Sequence, residues 1–580
     1  MVYEKKPWLK YYDDWVPETL EYPEITMYEG VAQSCREHKD RTALEFFGYE
    51  MNYGTLLKKI DKFARILYDL GLREGERITI ALPTCPQGII AFYAANKLGA
   101  IASMIHPLSP PNEVEFYLNL SDSKMALTLD MFYENFEEIL DKTSVEKVIL
   151  GKIQDYLGFI KKALFWLVKG RKVKVPDDPK IHWWSDLVDK EYTEFPESSM
   201  GFEDLAVILY SGGTTGLPKG IKLSNKNFIC EGYQVTKWGN LNQNDSMLII
   251  LPIFHGFGLG VCVNAGLMAG GKGILIPTFT PEKVVKLIQK KQPTFMVGVP
   301  TLFEAMNKDP NFQNDTDLSC LRGAFCGADT LPRIVKENFE EIARKSGNED
   351  LILREGYGLT ETVTAVAAMP MNEYREGSIG IPFPDMLMKV VKMDENEEST
   401  MEEAPIGEEG EFCVSGPDVM MGYLDNPEET ENVLKKHKDG RVWVHTGDVG
   451  TMDEDGFFYF KLRKKRMIKS SGFNVYPVQV ENILNDHPDV VNSCVIGVPD
   501  KDQVERVKAY VVLEDHEKAS KEKEKELINY CREKLLKWKC PRDVAFTEEL
   551  PKTLVGKVAY KVLEDKEKER LRAEGKYAGD

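Results

Sequence analysis

A chain of 580 residues with 43% hydrophobic and 10% aromatic side chains fills more than one core, because domains commonly run to about 100–200 residues. Its net charge of −19 argues against nucleic acid as the main partner, since such a field repels a phosphate backbone, and the apolar content is too high for disorder. Ten cysteines with no CxxC pair leave no zinc ribbon or thioredoxin motif and fit reduced thiols in a cytoplasm.

The first 15 residues carry lysines with no apolar run behind them, so neither a secretory signal nor a membrane anchor is expected. From Tyr53, the residues Leu56, Leu57, Ile60, Phe63, Ala64 and Leu67 recur at helical spacing, and residues 77–82 then alternate as a buried strand. A second helix over 88–98 stops at Gly99 before a short strand over 100–105. Strand, helix and strand in that order predict a parallel sheet covered by helices. The texture returns at 247–254, 273–277, 281–290 and 294–299, so one α/β architecture extends through most of the first 420 residues.

After Gly456 the texture changes. Residues 457–460 read as a strand and the basic run 461–466 as a connector. Helices over 479–485 and 522–536 and strands over 490–498 and 508–514 follow, an α+β unit large enough to fold alone. The predicted architecture is therefore α/β: a large N-terminal domain (1–464) of parallel and mixed sheets covered by helices, and a small mobile α+β domain (465–580).

Four loops carry chemistry. The first, residues 210–220, follows an apolar strand and holds Ser211, Gly212, Gly213, Thr214, Thr215, Gly216 and Lys219. Its backbone N–H groups, hydroxyls and ammonium can surround a polyphosphate. It is not a Walker A loop, because Lys219 lies between Pro218 and Gly220, and the GxxxxGK at 266–272 lacks the following hydroxyl and reads as a helix end and a turn. In the second loop, 355–362, glycines allow close backbone approach, Tyr357 offers a flat face to a base, Thr360 can hold a phosphate and Glu361 can reach Mg²⁺. The third, 445–450, sets Asp448 in a tight turn suited to ribose hydroxyls. The fourth, 551–557, places Lys557 behind Gly556 near the C-terminus.

These four loops, in this order, resemble the adenylate-forming superfamily of acyl-CoA synthetases, luciferases and peptide-synthetase adenylation domains. The resemblance runs from Tyr53 to Lys557 and implies ATP, Mg²⁺ and coenzyme A as cofactors and co-substrates. It implies that the loop from Ser211 to Lys219 covers the β- and γ-phosphates, and that Gly327, Ala328, Glu355, Gly356 and Tyr357 hold adenine. It assigns Thr360 to the α-phosphate, Glu361 to the metal, Asp448 and Arg463 to ribose, Lys465 to the hinge and Lys557 to adenylation. Gly472, with Lys469 in the same segment, would border the thiol-bearing arm in the second step. The chain departs from the family pattern at the SGGTTG loop, which lacks one hydroxyl, at Arg466, where an aspartate is usual, and at Val555.

His255 lies on the segment that in this superfamily separates the acyl pocket from the reacting carbonyl. Its neighbours Phe254, Gly256, Phe257 and Gly258 favour a hydrocarbon acid, and no acidic residue stands in this run to receive an amino group. The leading expectation is an ATP-dependent fatty acid–CoA ligase for medium or long chains, with an aryl-CoA ligase, an acyl-AMP ligase or a non-catalytic acyl or nucleotide sensor as alternatives. Residues 156–174 combine apolar and aromatic side chains with a basic cluster, which suits either a helix packed internally or peripheral contact with the inner face of a membrane. The sequence leaves a homodimer open.

Overall fold

The computed structural model describes residues 2–157, 175–190, 194–211, 218–394, 398–470, 473–500, 504–553 and 557–574. The helix Tyr53–Asp69 starts where the Asn52 side chain accepts the Thr55 N–H, and it buries the predicted stripe from Leu56 to Leu67. The next helix, Pro86–Leu98, begins two residues earlier than its apolar pattern suggests, because Pro86 fits the first helical turn. It is buried on nearly every face. It packs on Tyr53–Asp69 and on the strands Arg77–Ala81 and Ile101–Met104, while Tyr53–Asp69 packs on the strands Thr42–Phe46 and Tyr49–Asn52. Helices are thus held between two sheets.

In one sheet Arg77–Ala81, Ile101–Met104, Met125–Leu129, Lys147–Gly151 and Ile181–Trp183 run parallel. Leu205–Ser211 joins them in parallel and then turns back antiparallel into Lys219–Ser224. The other sheet aligns Thr42–Phe46, Lys272–Leu275, Ser246–Ile249, Phe295–Gly298, Gly323–Cys326 and Leu353–Gly358 in parallel. A third, antiparallel sheet spans Leu387–Met393 to Phe458–Arg463. The α/β fold is therefore the architecture of this chain.

One correction concerns the basic run at 461–466. Lys461, Leu462 and Arg463 are not connector but the end of the strand Phe458–Arg463, because pairing with Val442–Met452 sets Arg463 opposite Asp448. Only Lys464–Arg466 form the turn that follows. One core cluster extends to Phe458, and a separate one starts at Ile468 around the strands Val490–Asp500 and Val504–Leu513. Arg466 finds its partners in the second cluster's shell: Nη2 donates to Glu481 Oε1 at 2.5 Å, and the guanidinium lies 4.7 Å from the Tyr560 ring. Among the described residues no helix is long and apolar enough to cross a membrane.

Candidate active site

A cleft of about 2180 Å³ opens between the two cores. The strand Leu353–Gly358 brings Glu355, Gly356 and Tyr357 to its wall, and the single turn Thr360–Thr362 adds Thr360 and Glu361. Behind that turn Val363 has φ 60° and ψ −65°, and the Thr364 N–H donates to the Thr362 carbonyl at 2.6 Å. This is a three-residue turn in a conformation strained for a β-branched residue. Two glycines make room for it. A Cβ on Gly358 would lie 1.4 Å from the Thr364 carbonyl oxygen, and one on Gly256 would lie 1.9 Å from that of Val363. In the segment ending in Cys326-Gly327-Ala328, Ala328 also adopts a positive φ of 74°, and both Gly327 and Ala328 line the cleft.

Asp448 is almost wholly buried and already engaged. Its Oδ2 accepts the Tyr357 hydroxyl at 2.7 Å, and its Oδ1 lies 2.9 Å from Arg463 Nε. The Asp448 charge, a first cause ahead of burial, holds the Arg463 guanidinium firmly protonated. Glu361 accepts the Tyr423 hydroxyl at 2.8 Å, and Lys219 pairs with Glu429 while its ammonium lies 5.0 Å from the Tyr423 ring. Ser211 and Lys219 face each other across the hairpin mouth. Gly212, Gly213, Thr214, Thr215 and Gly216 lie outside the described residues, as does Gly472.

Lys557 reaches the same cleft from the C-terminal part of the chain. Its backbone N–H donates to Thr553 Oγ1 at 3.1 Å, and its carbonyl accepts the Thr553 N–H at 2.7 Å. Burial lowers its ammonium below the usual lysine range, and Arg463 adds to the shift; Asp329, Asp448 and Glu361 oppose it. His255 is pushed down to about 3 by burial, with the Lys557 charge second. Its Nδ1 accepts the Phe257 N–H at 3.2 Å, so the neutral ring carries its proton on Nε2. Lys465 belongs to the turn Lys464–Arg466, and Lys469 lies on an exposed strand position whose N–H donates to Glu505 at 2.8 Å. Lys469 is not among the described residues that line the cleft.

Sequence reasoning missed Tyr423 and Glu429, which meet this site only through tertiary pairing, and Asp329, which directly follows the predicted Gly327 and Ala328. It also missed His106, whose ring lies 4.5 Å from that of Phe254 and which burial lowers to about 4. One buried acid stands behind the wall that the His255 segment helps to form. Glu231 stands directly behind Gly260, where a Cβ would lie 2.0 Å from its Oε2. Its Oε1 accepts the Ala365 N–H at 2.9 Å, its Oε2 has no partner, and burial raises it to about 8. It lies outside the cleft lining, so a neutral carboxyl backs the wall.

That raised value has a consequence for stability. Between the ordinary 4.5 and about 8 the unfolded chain releases this proton while the folded chain keeps it. Stability is therefore lost as pH rises through that window, at about 1.4 kcal/mol per pH unit at most. Glu231→Gln is expected to flatten urea-unfolding stability across the window; an unchanged slope would show that Glu231 does not hold its proton.

The AMP-binding enzyme family model matches residues 31–424, and the AMP-binding enzyme C-terminal domain model matches residues 479–557. The chain belongs to the AMP-binding enzyme family. Among members of known sequence, it is 35% identical to the long-chain-fatty-acid–CoA ligase of Bacillus subtilis, over 97% of this chain and 99% of that one. It is 34% identical to the long-chain-fatty-acid–CoA ligase of Escherichia coli O6:H1, over 97% and 98%. Among solved structures, ATP-bound MatB from Rhodopseudomonas palustris superposes with a TM-score of 0.79 at 26% identity, covering 93% of this chain and 98% of that one. The anthranilate CoA ligase AuaEII in complex with anthranoyl-AMP shares the fold with a TM-score of 0.82 at 24% identity, covering 96% and 99%.

Proposed function

We propose that this protein is an ATP-dependent acyl-CoA synthetase that joins a long-chain fatty acid to coenzyme A through an acyl-adenylate. The observation that carries this reading is a single cleft with two kinds of wall. Asp448, Tyr357, Glu361 and Lys557 stand in one part, and Trp238, Leu241, Met247, Val261 and Phe295 line another. A carboxylate with a hydrocarbon tail fits that division, and the ligases of B. subtilis and E. coli named above support it.

In the first half-reaction the ionised carboxylate oxygen attacks the α-phosphorus of ATP, and the bond to pyrophosphate breaks. No general base is required, so the residues need only align the reactants and stabilise charge. Asp448 and Arg463 would hold ribose, Tyr357 with Gly327, Ala328, Glu355 and Gly356 the adenine, and Thr360 the α-phosphate. Lys557 would neutralise charge between carboxylate and α-phosphate. Glu361 offers a hard oxygen beside phosphate, the donor type Mg²⁺ prefers, and that ion would supply charge neutralisation. His255, neutral, would wall the reacting carbonyl from water. In the second half-reaction the thiolate of coenzyme A attacks the acyl carbon and AMP leaves. Lys557 would withdraw as the small domain turns about Lys465, bringing the 469–472 segment to the cleft.

Acids of graded length, followed by CoA-dependent AMP formation, test this. Each methylene that reaches the apolar wall contributes about 0.8 kcal/mol, roughly fourfold in kcat/KM. Palmitate is therefore expected to exceed acetate and benzoate by orders of magnitude, and a preference for benzoate would move the protein to the aryl-CoA ligases.

Residues 158–174 lie outside the described residues; Tyr156, at the segment's start, is buried with its ring 5.3 Å from the Lys59 ammonium. The composition of the segment supports peripheral contact with anionic lipid, worth about 1 kcal/mol per basic residue near the surface. Salt-sensitive binding to anionic liposomes is expected, reduced when Lys169, Arg171, Lys172 and Lys174 become Gln. Equal binding by that variant would assign the segment to internal packing.

A further inference from the structure

We propose that Cys413, His437 and His445 form a buried binding site for a thiophilic d¹⁰ cation, with zinc as the expected occupant. Cys413, on the strand Gly410–Ser415, pairs directly across the ladder with His445 on Val442–Met452, so both side chains share one face of the sheet. His437 joins them from the turn after the short strand Leu434–Lys436. That turn is closed by the His437 N–H to the Arg441 carbonyl at 3.0 Å and the Gly440 N–H to the His437 carbonyl at 3.0 Å. The three donor atoms lie within 4.8 Å of one another. The residues are 0%, 5% and 8% exposed, so an ion held by them would be shielded from water.

The hydrogen-bond pattern points the same way. Glu411 Oε2 lies 2.9 Å from His445 Nδ1, and Glu411 Oε1 accepts the Gly447 N–H at 2.7 Å. With Nδ1 facing the Glu411 carboxylate, His445 presents Nε2 on the side of the ring away from Glu411. This is the arrangement in which a carboxylate orients a ligating imidazole and raises its basicity. His437 Nε2 lies 2.9 Å from His445 Nε2, the distance of a hydrogen bond between the two rings, so both nitrogens face the same space, and an ion entering there would displace the shared proton and part them slightly. His437 Nδ1 is buried with no partner, so the contact with His445 is the hydrogen bond that holds this ring, through Nε2.

A buried thiol is ordinarily a poor ligand while it keeps its proton, and burial raises Cys413 well above the usual thiol range. Glu411 raises it further, and Lys389, Lys435 and Lys464 oppose the two without overcoming them. Binding would release the Cys413 proton to solvent, with no change of oxidation state. One thiolate and two imidazoles suit zinc or copper(I) rather than magnesium or calcium. The second cluster of such groups among the described residues, His487, Asp489 and Glu526, is different. Asp489 is already taken by Lys518 at 2.6 Å and Lys523 at 2.7 Å.

An ion here would clamp the strand carrying Glu411 and Cys413 to the turn that leads into Asp448. The test uses the full-length protein, reduced, stripped with chelator and titrated with Zn²⁺ against a chromophoric competitor. One zinc per chain and a raised Tm are expected. X-ray absorption at the zinc edge should show one sulfur and two imidazole nitrogens, and cobalt(II) should give a thiolate charge-transfer band. Cys413→Ser is expected to remove that band, and Glu411→Gln to weaken binding about 10–100-fold. A parallel titration with copper(I) distinguishes the two cations. Zinc bound without sulfur, no binding by the folded protein, or equal affinity in folded Cys413→Ser and His437→Gln would overturn the proposal. The absorption measurement on the unaltered protein decides even if those variants fail to fold.

Discussion

A Lys557→Ala enzyme is expected to form acyl-adenylate about 10²–10³-fold more slowly, while passing supplied acyl-adenylate to coenzyme A at close to the parent rate. The size follows from where the ammonium sits. It is half-buried in the cleft within the field of Arg463, Asp329, Asp448 and Glu361, where a fixed charge acts in a medium of lower dielectric than water. The asymmetry follows from its mounting. The bridge between Lys552 and Val558 and the paired Thr553 and Lys557 backbones fix it to the C-terminal part of the chain, so on the proposed mechanism it would leave the cleft as that part turned. Pyrophosphate release reports the first half-reaction and thioester formation the second. Equal losses in both would make Lys557 a folding residue of the tail.

Gly358→Ala is expected to cost about 3 kcal/mol of stability and to impair nucleotide use in whatever protein remains folded. The added methyl would lie 1.4 Å from the Thr364 carbonyl oxygen and 2.4 Å from its carbon. Those atoms belong to backbone, so no rotamer change relieves the clash. The Val363 turn must move, and it moves Thr360 and Glu361 with it. Gly266→Ala is the control, because a Cβ there meets nothing within 4 Å. Similar Tm and KM for ATP in the two variants would show that the close approach at Gly358 is not required.

The candidate nucleotide loops were legible because such loops have local chemical demands. Phosphate and base must approach backbone closely, so the glycines at 212, 213, 216, 327, 356 and 358 stand out against the apolar strands before them. The partners were not legible. Tyr423 pairs with Glu361 across 62 positions of sequence, and Glu429 with Lys219 across 210. No spacing rule reports such a pairing, since it depends on how sheets are stacked. The basic run at 461–466 misled for a related reason: charges on a strand end read as a connector until the ladder sets Arg463 opposite Asp448.

The sequence by itself determined the α/β order, because helical and strand periodicities are local properties of side-chain spacing. It also singled out the candidate nucleotide loops, because such loops need particular residues at short spacing. The tertiary structure decided how Lys557, His255 and Asp448 are set into one cleft, where desolvation lowers the Lys557 ammonium and the His255 imidazole below their ordinary ranges. It alone brought Cys413, His437 and His445 together, because cross-strand register and a turn convert distant positions into neighbours. It alone revealed the strained Val363 turn, since backbone strain is held by surrounding packing and leaves no mark in the residue that bears it.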